Sequence, residues 1–138
     1  MRFQGKISKW FYGIIIFAAA IFTPISILAA KNGKMLLFII FLGIFVLIEA
    51  FCSCIVLRNF VELNDDGLLI AFGLVKVRIP YGDIEKIGAT NDPSSSLAAS
   101  FDRIRLQIKN GKSVMISLYN KQAFYREMQK KNADIRIV

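Results

Sequence analysis

FYGIIIFAAAIFTPISILAA at residues 11–30 and MLLFIIFLGIFVLIEAFCSCIVL at residues 35–57 decide the fold. Each run has roughly 20 residues or more, enough to cross a ~30 Å hydrocarbon core as a helix. The first holds no charged residue and the second holds one, Glu49. Only Lys31-Asn32-Gly33-Lys34 separates them, which predicts a tight Asn-Gly turn. The expectation is a transmembrane hairpin over residues 1–57, followed by one modest domain over residues 58–138.

The flanking charges set an expected orientation. Both ends of a hairpin lie on one side, and Arg2, Lys6, Lys9 and Arg58 flank the spans there. Lys31 and Lys34 lie at the opposite side. The larger basic count marks the cytoplasmic side, so N-in and C-in are expected, with the C-terminal domain cytoplasmic. Leu28-Ala29-Ala30 is a passable signal cleavage site, but the run is long for a signal core and a second span follows at once. Retention is therefore expected.

The chain of 138 residues is 55% hydrophobic and carries a net charge of +8. The basic residues are spread out, without a dense stripe or a recognition motif, so nucleic acid is not an expected partner. The bilayer itself and its anionic headgroups account for the balance. Cys52 and Cys54 fall two apart on a helix and point to nearly opposite sides. With no further cysteine and no histidine, the chain offers neither a disulfide framework nor a zinc site, and no cofactor is expected.

After Arg58 the pattern changes to short alternating strands separated by turns. Residues 60–63 and 68–72 flank Asn64-Asp65-Asp66-Gly67. Val75, Val77 and Ile79 alternate with Lys76 and Arg78. Pro80-Tyr81-Gly82-Asp83 turns into a strand over 84–90, and a loop rich in Ser, Asp and Pro covers 91–100. In the next strand Ile104, Leu106 and Ile108 point inward, and Arg103, Arg105, Gln107 and Lys109 outward. For Val114, Ile116 and Leu118 to share the inner face, the following loop needs an odd number of residues. Lys109-Asn110-Gly111 with Gly111 in the left-handed region meets that need. Asn120 caps a helix over 121–131 that turns Phe124 and Met128 to one side. A last strand is expected over 135–138. Six or seven antiparallel strands close into a barrel, with the helix plugging one end.

Three stretches carry a family resemblance. They are Arg2-Phe3 through Lys6-Ile7; Leu68-Leu69-Ile70 through Ile79-Pro80-Tyr81-Gly82-Asp83-Ile84; and Ser96-Leu97-Ala98-Ala99-Ser100-Phe101-Asp102-Arg103-Ile104 with Asn110-Gly111 and Ile116-Ser117. On these the chain resembles a bacterial family with two N-terminal transmembrane helices and a pleckstrin-homology (PH) domain, the YyaB-like PH family. The family usually has a proline after the last serine, where this chain has Leu118. The resemblance implies an α+β fold: a two-helix transmembrane hairpin, then a PH-like antiparallel β-barrel with one C-terminal capping helix. It also implies a membrane-anchored binding or scaffold protein. A neighbouring PH-like group includes an immunity protein against a secreted bacteriocin, which gives the alternative reading.

Two sites are candidates. Glu49 places a carboxylate inside a span, where it costs about 2.5–3.5 kcal/mol on insertion scales and often has a function. Snorkelling, a hydrogen bond to Ser53 or a position facing Thr23 would account for it structurally. The second candidate is a ligand or partner contact built from Ser96, Ser100, Asp102, Arg103 and Arg105. Hydroxyls with an Asp–Arg pair suit a headgroup or a peptide backbone, although Ser and Asp in loops often satisfy the loop itself. Arg103, Arg105 and Lys109 on one strand, with Lys76 and Arg78 on another, could meet anionic lipid or a protein partner. Without histidine, nucleophile elbow or paired carboxylates, catalysis is not expected. The sequence leaves the oligomeric state open.

Overall fold

A computed structural model of the protein describes residues 1–92 and 98–138. The two apolar runs form α1 (Lys9–Lys31) and α2 (Met35–Leu57). The turn between them closes through backbone bonds from Asn32, Gly33 and Lys34 to the carbonyls of Leu28, Ala30 and Ala29. The rings of Phe22 and Phe45 stack at 6.2 Å and fix the level of one helix against the other. Only 11% and 6% of the apolar windows of α1 and α2 are buried. Neither helix is packed into the core of the sheets. They are long and apolar enough to cross a membrane.

Among the described residues, eight strands and one further α-helix surround the core. Ahead of α1 lies β1 (Arg2–Gln4). After α2 come β2 (Asn59–Leu63), β3 (Leu68–Phe72), β4 (Val75–Ile79), β5 (Ile84–Thr90), β6 (Arg103–Ile108), β7 (Ser113–Ile116), α3 (Lys121–Lys131) and β8 (Arg136–Ile137). Two four-stranded sheets result, ordered β1-β2-β3-β4 and β7-β6-β5-β8.

The sheets do not close into the expected barrel. They meet at one corner, where Gly5 bridges Leu118 and the Lys6 amide donates to Ser117 at 2.9 Å. At the opposite side, among the described residues, β4 pairs with β3 alone, and the other edge of β5 is taken by β8. The terminal strand runs parallel to β5, pairing Lys86 with Arg136 and Ile87 with Ile137.

The hairpin into β7 follows the parity argument. Leu106 pairs with Val114 and Ile104 with Ile116, across Lys109-Asn110-Gly111. Gly111 has φ 73°, a conformation that costs other residues a Cβ clash. Asn120 Oδ1 accepts from the Ala123 amide at 3.1 Å and caps α3. Phe124 and Met128 are fully buried, with Leu68, Ile87, Ile104 and Leu106.

β1 lies outside the expected domain limits of 58–138. It pairs antiparallel with β2, Phe3 opposite Val61. Phe3 is buried and meets Phe124 edge to face at 5.6 Å. The chain before α1 and the chain after α2 thus become neighbouring strands. Cleavage after Ala30 would remove one strand and one core aromatic.

Candidate functional site

The predicted constellation sits where the helices meet the sheets. Residues 98–102 receive the segment between β1 and α1: the Ser8 amide donates to Ala99 O at 3.0 Å, and Ser8 Oγ donates to Ser100 Oγ at 2.7 Å. The Asp102 carboxylate takes Lys121 Nζ on one oxygen and Lys6 Nζ, at 2.9 Å, on the other. Hydrogen bonds from Lys121 and then Lys6 hold its carboxyl below the ordinary aspartate range, against a smaller opposing effect of burial. Burial, and then the charge of Asp102, push the nearby Tyr125 phenol up.

Arg103 does not face water as its parity suggested. Its neighbours Ile104 and Leu106 do point into the core, but the other face of the strand is covered at this end. Arg103 is 5% exposed. Its Nε donates to Ser100 O at 2.7 Å and its Nη1 to Asp92 O at 2.8 Å. Arg105 pairs through Nη2 with the Asp92 carboxylate, and its buried Nε has no hydrogen-bond partner among the described residues. Ser96 lies outside the described residues. Ser100, Asp102 and Arg103 are therefore brought together, but their polar groups are engaged in joining segments of the chain.

Glu49 lies apart from them, in α2. Its Oε1 is buried without a hydrogen-bond partner among the described residues, so neither Ser53 nor Thr23 engages that oxygen. The Phe22–Phe45 pair puts Glu49, one turn nearer the sheets, about level with the small side chain of Ala18.

A different set of cations opens onto a cavity of about 620 Å³ on the outer side of β5, β6 and β8. Ligand sites commonly measure ~300–1,000 Å³. Lys86, Lys109 and Arg136 line it, with Glu85, Gln107 and Asp134. A smaller cavity of about 200 Å³ shares Lys86 and Gln107 and reaches Arg105. Among the described residues Lys86, Lys109 and Arg136 form no ion pair.

Sequence reasoning included Lys109 but missed Lys86 and Arg136. Lys86 follows an irregularity in β5 between Ile84 and Lys86, which shifts its register. Arg136 reaches the site only because β8 lies beside β5. The one local signal was its place between Ile135, which is buried, and Ile137.

Two sheets meeting at one corner, with a helix packed on their core and two apolar helices alongside, fit a membrane-associated binding module. The comparison with protein families gives that class a narrower place. The model of the bacterial PH domain matches residues 61–132, and the chain belongs to that family. The match does not extend to the narrower YyaB-like name. A search of curated proteins finds no match.

Proposed function

We propose that the protein is a non-enzymatic, membrane-anchored binding module at the cytoplasmic face of a bacterial inner membrane. Its ligand surface is the outer side of β5, β6 and β8, and its ligand is an acidic segment of a protein partner. The observation that carries this reading is the convergence of Lys86, Lys109 and Arg136 on one cavity without internal ion pairs. The larger cavity lies toward the Lys109 end of β6, roughly 20 Å along the strand from the Arg103 end beside the helices. That distance favours a soluble partner over a headgroup of the same bilayer. Orientation rests on Arg2, Lys6, Lys9 and Arg58 against Lys31 and Lys34.

The test is a photo-crosslinker at Gln107 in native membranes, with and without K86Q, K109Q and R136Q together. Protein adducts that vanish in the triple variant support the reading. Adducts of equal yield in both chains overturn it. A periplasm-active reporter fused after Val138 should stay silent; strong activity reverses the orientation.

A second reading, immunity against a membrane-active bacteriocin, is favoured by the buried, unpartnered Oε1 of Glu49. In that reading Glu49→Gln removes protection in a toxin-survival assay and leaves Gln107 adducts unchanged. Survival equal to that of the unaltered chain would end it.

A further inference from the structure

The β3–β4 turn and residues 98–101 reach past the ends of the helices toward the apolar hairpin. Gly73, at φ 59°, lies so close to α2 that an added Cβ would stand 3.0 Å from Ile55 Cγ1. Ala99 packs in one buried cluster with Phe11, Cys52 and Ile55. Cys52 and Ile55 lie inside α2, which ends at Leu57, and Phe11 lies inside α1, which begins at Lys9. At 1.5 Å per residue these contacts fall ~3–8 Å inside the helix ends. If the helices cross a bilayer, both loops lie within its interfacial layer.

The side chains at that level suit this position. Leu74, at the tip of the β3–β4 turn, is 73% exposed, and Leu57 is 78% exposed. Phe101 is half exposed and its ring lies 5.4 Å from that of Trp10, which is itself partly exposed. Trp is the residue most at home in this layer, with an apolar body and one N–H. Lys9, Arg58 and Lys76 are exposed nearby and make no ion pair among the described residues. An apolar tip bordered by unpaired cations fits anionic headgroups above acyl chains.

We propose that Leu74, Phe101, Trp10 and Leu57 form a membrane-contacting foot, seated in the bilayer that the hairpin crosses. The foot holds the sheets in one attitude and turns the cavity of Lys86, Lys109 and Arg136 toward the aqueous side. It rests on the reading that α1 and α2 span a bilayer, and the experiment separates the two. Trp10 is the only tryptophan of the chain. The full chain is reconstituted in vesicles containing anionic lipid and lipids brominated near the headgroup. Three chains are compared: the natural one, W10F/L74W and W10F/D66W. Asp66 is at the opposite end of β2 and β3 from Leu74 and is exposed, so both added indoles sit on surface turns.

The foot predicts that natural Trp10 and the L74W indole lose most of their emission to bromine and that the D66W indole loses almost none. Quenching of Trp10 with no quenching of L74W overturns the foot and leaves the spanning reading in place. Equal quenching of L74W and D66W also overturns it, because the domain would then have no fixed attitude. If Trp10 is not quenched either, the spanning reading fails and the foot with it.

Discussion

The first residue of β6 and the residue just past its other end carry the same kind of side chain in different states. At the end near the helices, Arg103 is buried against the carbonyls of Ser100 and Asp92. At the far end Lys109 borders an open cavity and pairs with nothing among the described residues. Arg105, between them, has one nitrogen in an ion pair and one without a partner among the described residues. Along a single strand, basic residues pass from holding the fold together to being available for a ligand. A cation already bonded inside a protein contributes little to binding, because a ligand must first displace its partner. The availability of a charge, more than its presence, therefore locates a recognition surface.

The comparison requires one folded body in which α3 and β1 close the core beneath β6, and its breaking has the largest expected effect. Phe124 is fully buried against Phe3. Phe124→Ala should cost about 3–5 kcal/mol, the range for aromatic deletions in a core. Thermal unfolding in detergent, read by circular dichroism, checks it. An unchanged midpoint would detach α3 from the sheets and remove the frame in which the two ends of β6 are compared.

Next comes the engaged end. Arg103→Gln keeps polarity but shortens the side chain and removes the charge. It leaves buried carbonyl oxygens short of donors, at a cost of about 1.5–3 kcal/mol for hydrogen bonds made by a charged group. The same variant, once folded, should give Gln107 adducts at the unaltered yield. A variant of normal stability with lost adducts would exchange the roles assigned to the two ends of β6.

The difference between these ends was only partly legible in the sequence. Alternation and turn residues indicated β2 through β7, and the Gly111 loop followed from side-chain parity alone. β1 was missed because Arg2-Phe3-Gln4 is too short to show a period, and its strand character exists only through pairing with β2. Closure failed for a related reason: which strand lies beside β5 depends on where the chain arrives after α3. Parity correctly assigned Arg103 to the face opposite Ile104. It gave no information on what covers that face. Lys86 and Arg136 are 50 positions apart in the sequence yet neighbours across β5 and β8, so no local pattern joins them.

The available end sharpens the comparison from the other direction. K86Q, K109Q and R136Q remove charges that form no ion pair among the described residues. Each should change stability by no more than about 0.5 kcal/mol, the usual range for surface positions. Together they should weaken capture of an acidic partner by about tenfold, or about 1.4 kcal/mol. Measured loss of stability above that range would mean that these cations also have a structural role.

The smallest effect concerns Asp102, which ties Lys6 before α1 to Lys121 of α3. Hydrogen bonds from Lys121 and Lys6 lower its pKa in the folded chain. A carboxyl whose folded pKa is depressed stabilises the fold above its unfolded pKa, ordinarily about 3.9. That contribution is lost as pH falls below the unfolded value and through the folded one. At neutral pH it is complete, so Asp102→Asn should lower stability there and have little further effect in strong acid. The Asp102 side chain is 47% exposed, and solvent screening keeps the effect to less than about 1 kcal/mol. Unfolding midpoints of the two chains, measured from pH 7 downward, should therefore converge as the carboxyl protonates. A difference that stayed constant or widened toward acid would show that the two lysines do not stabilise the fold through the charge of Asp102.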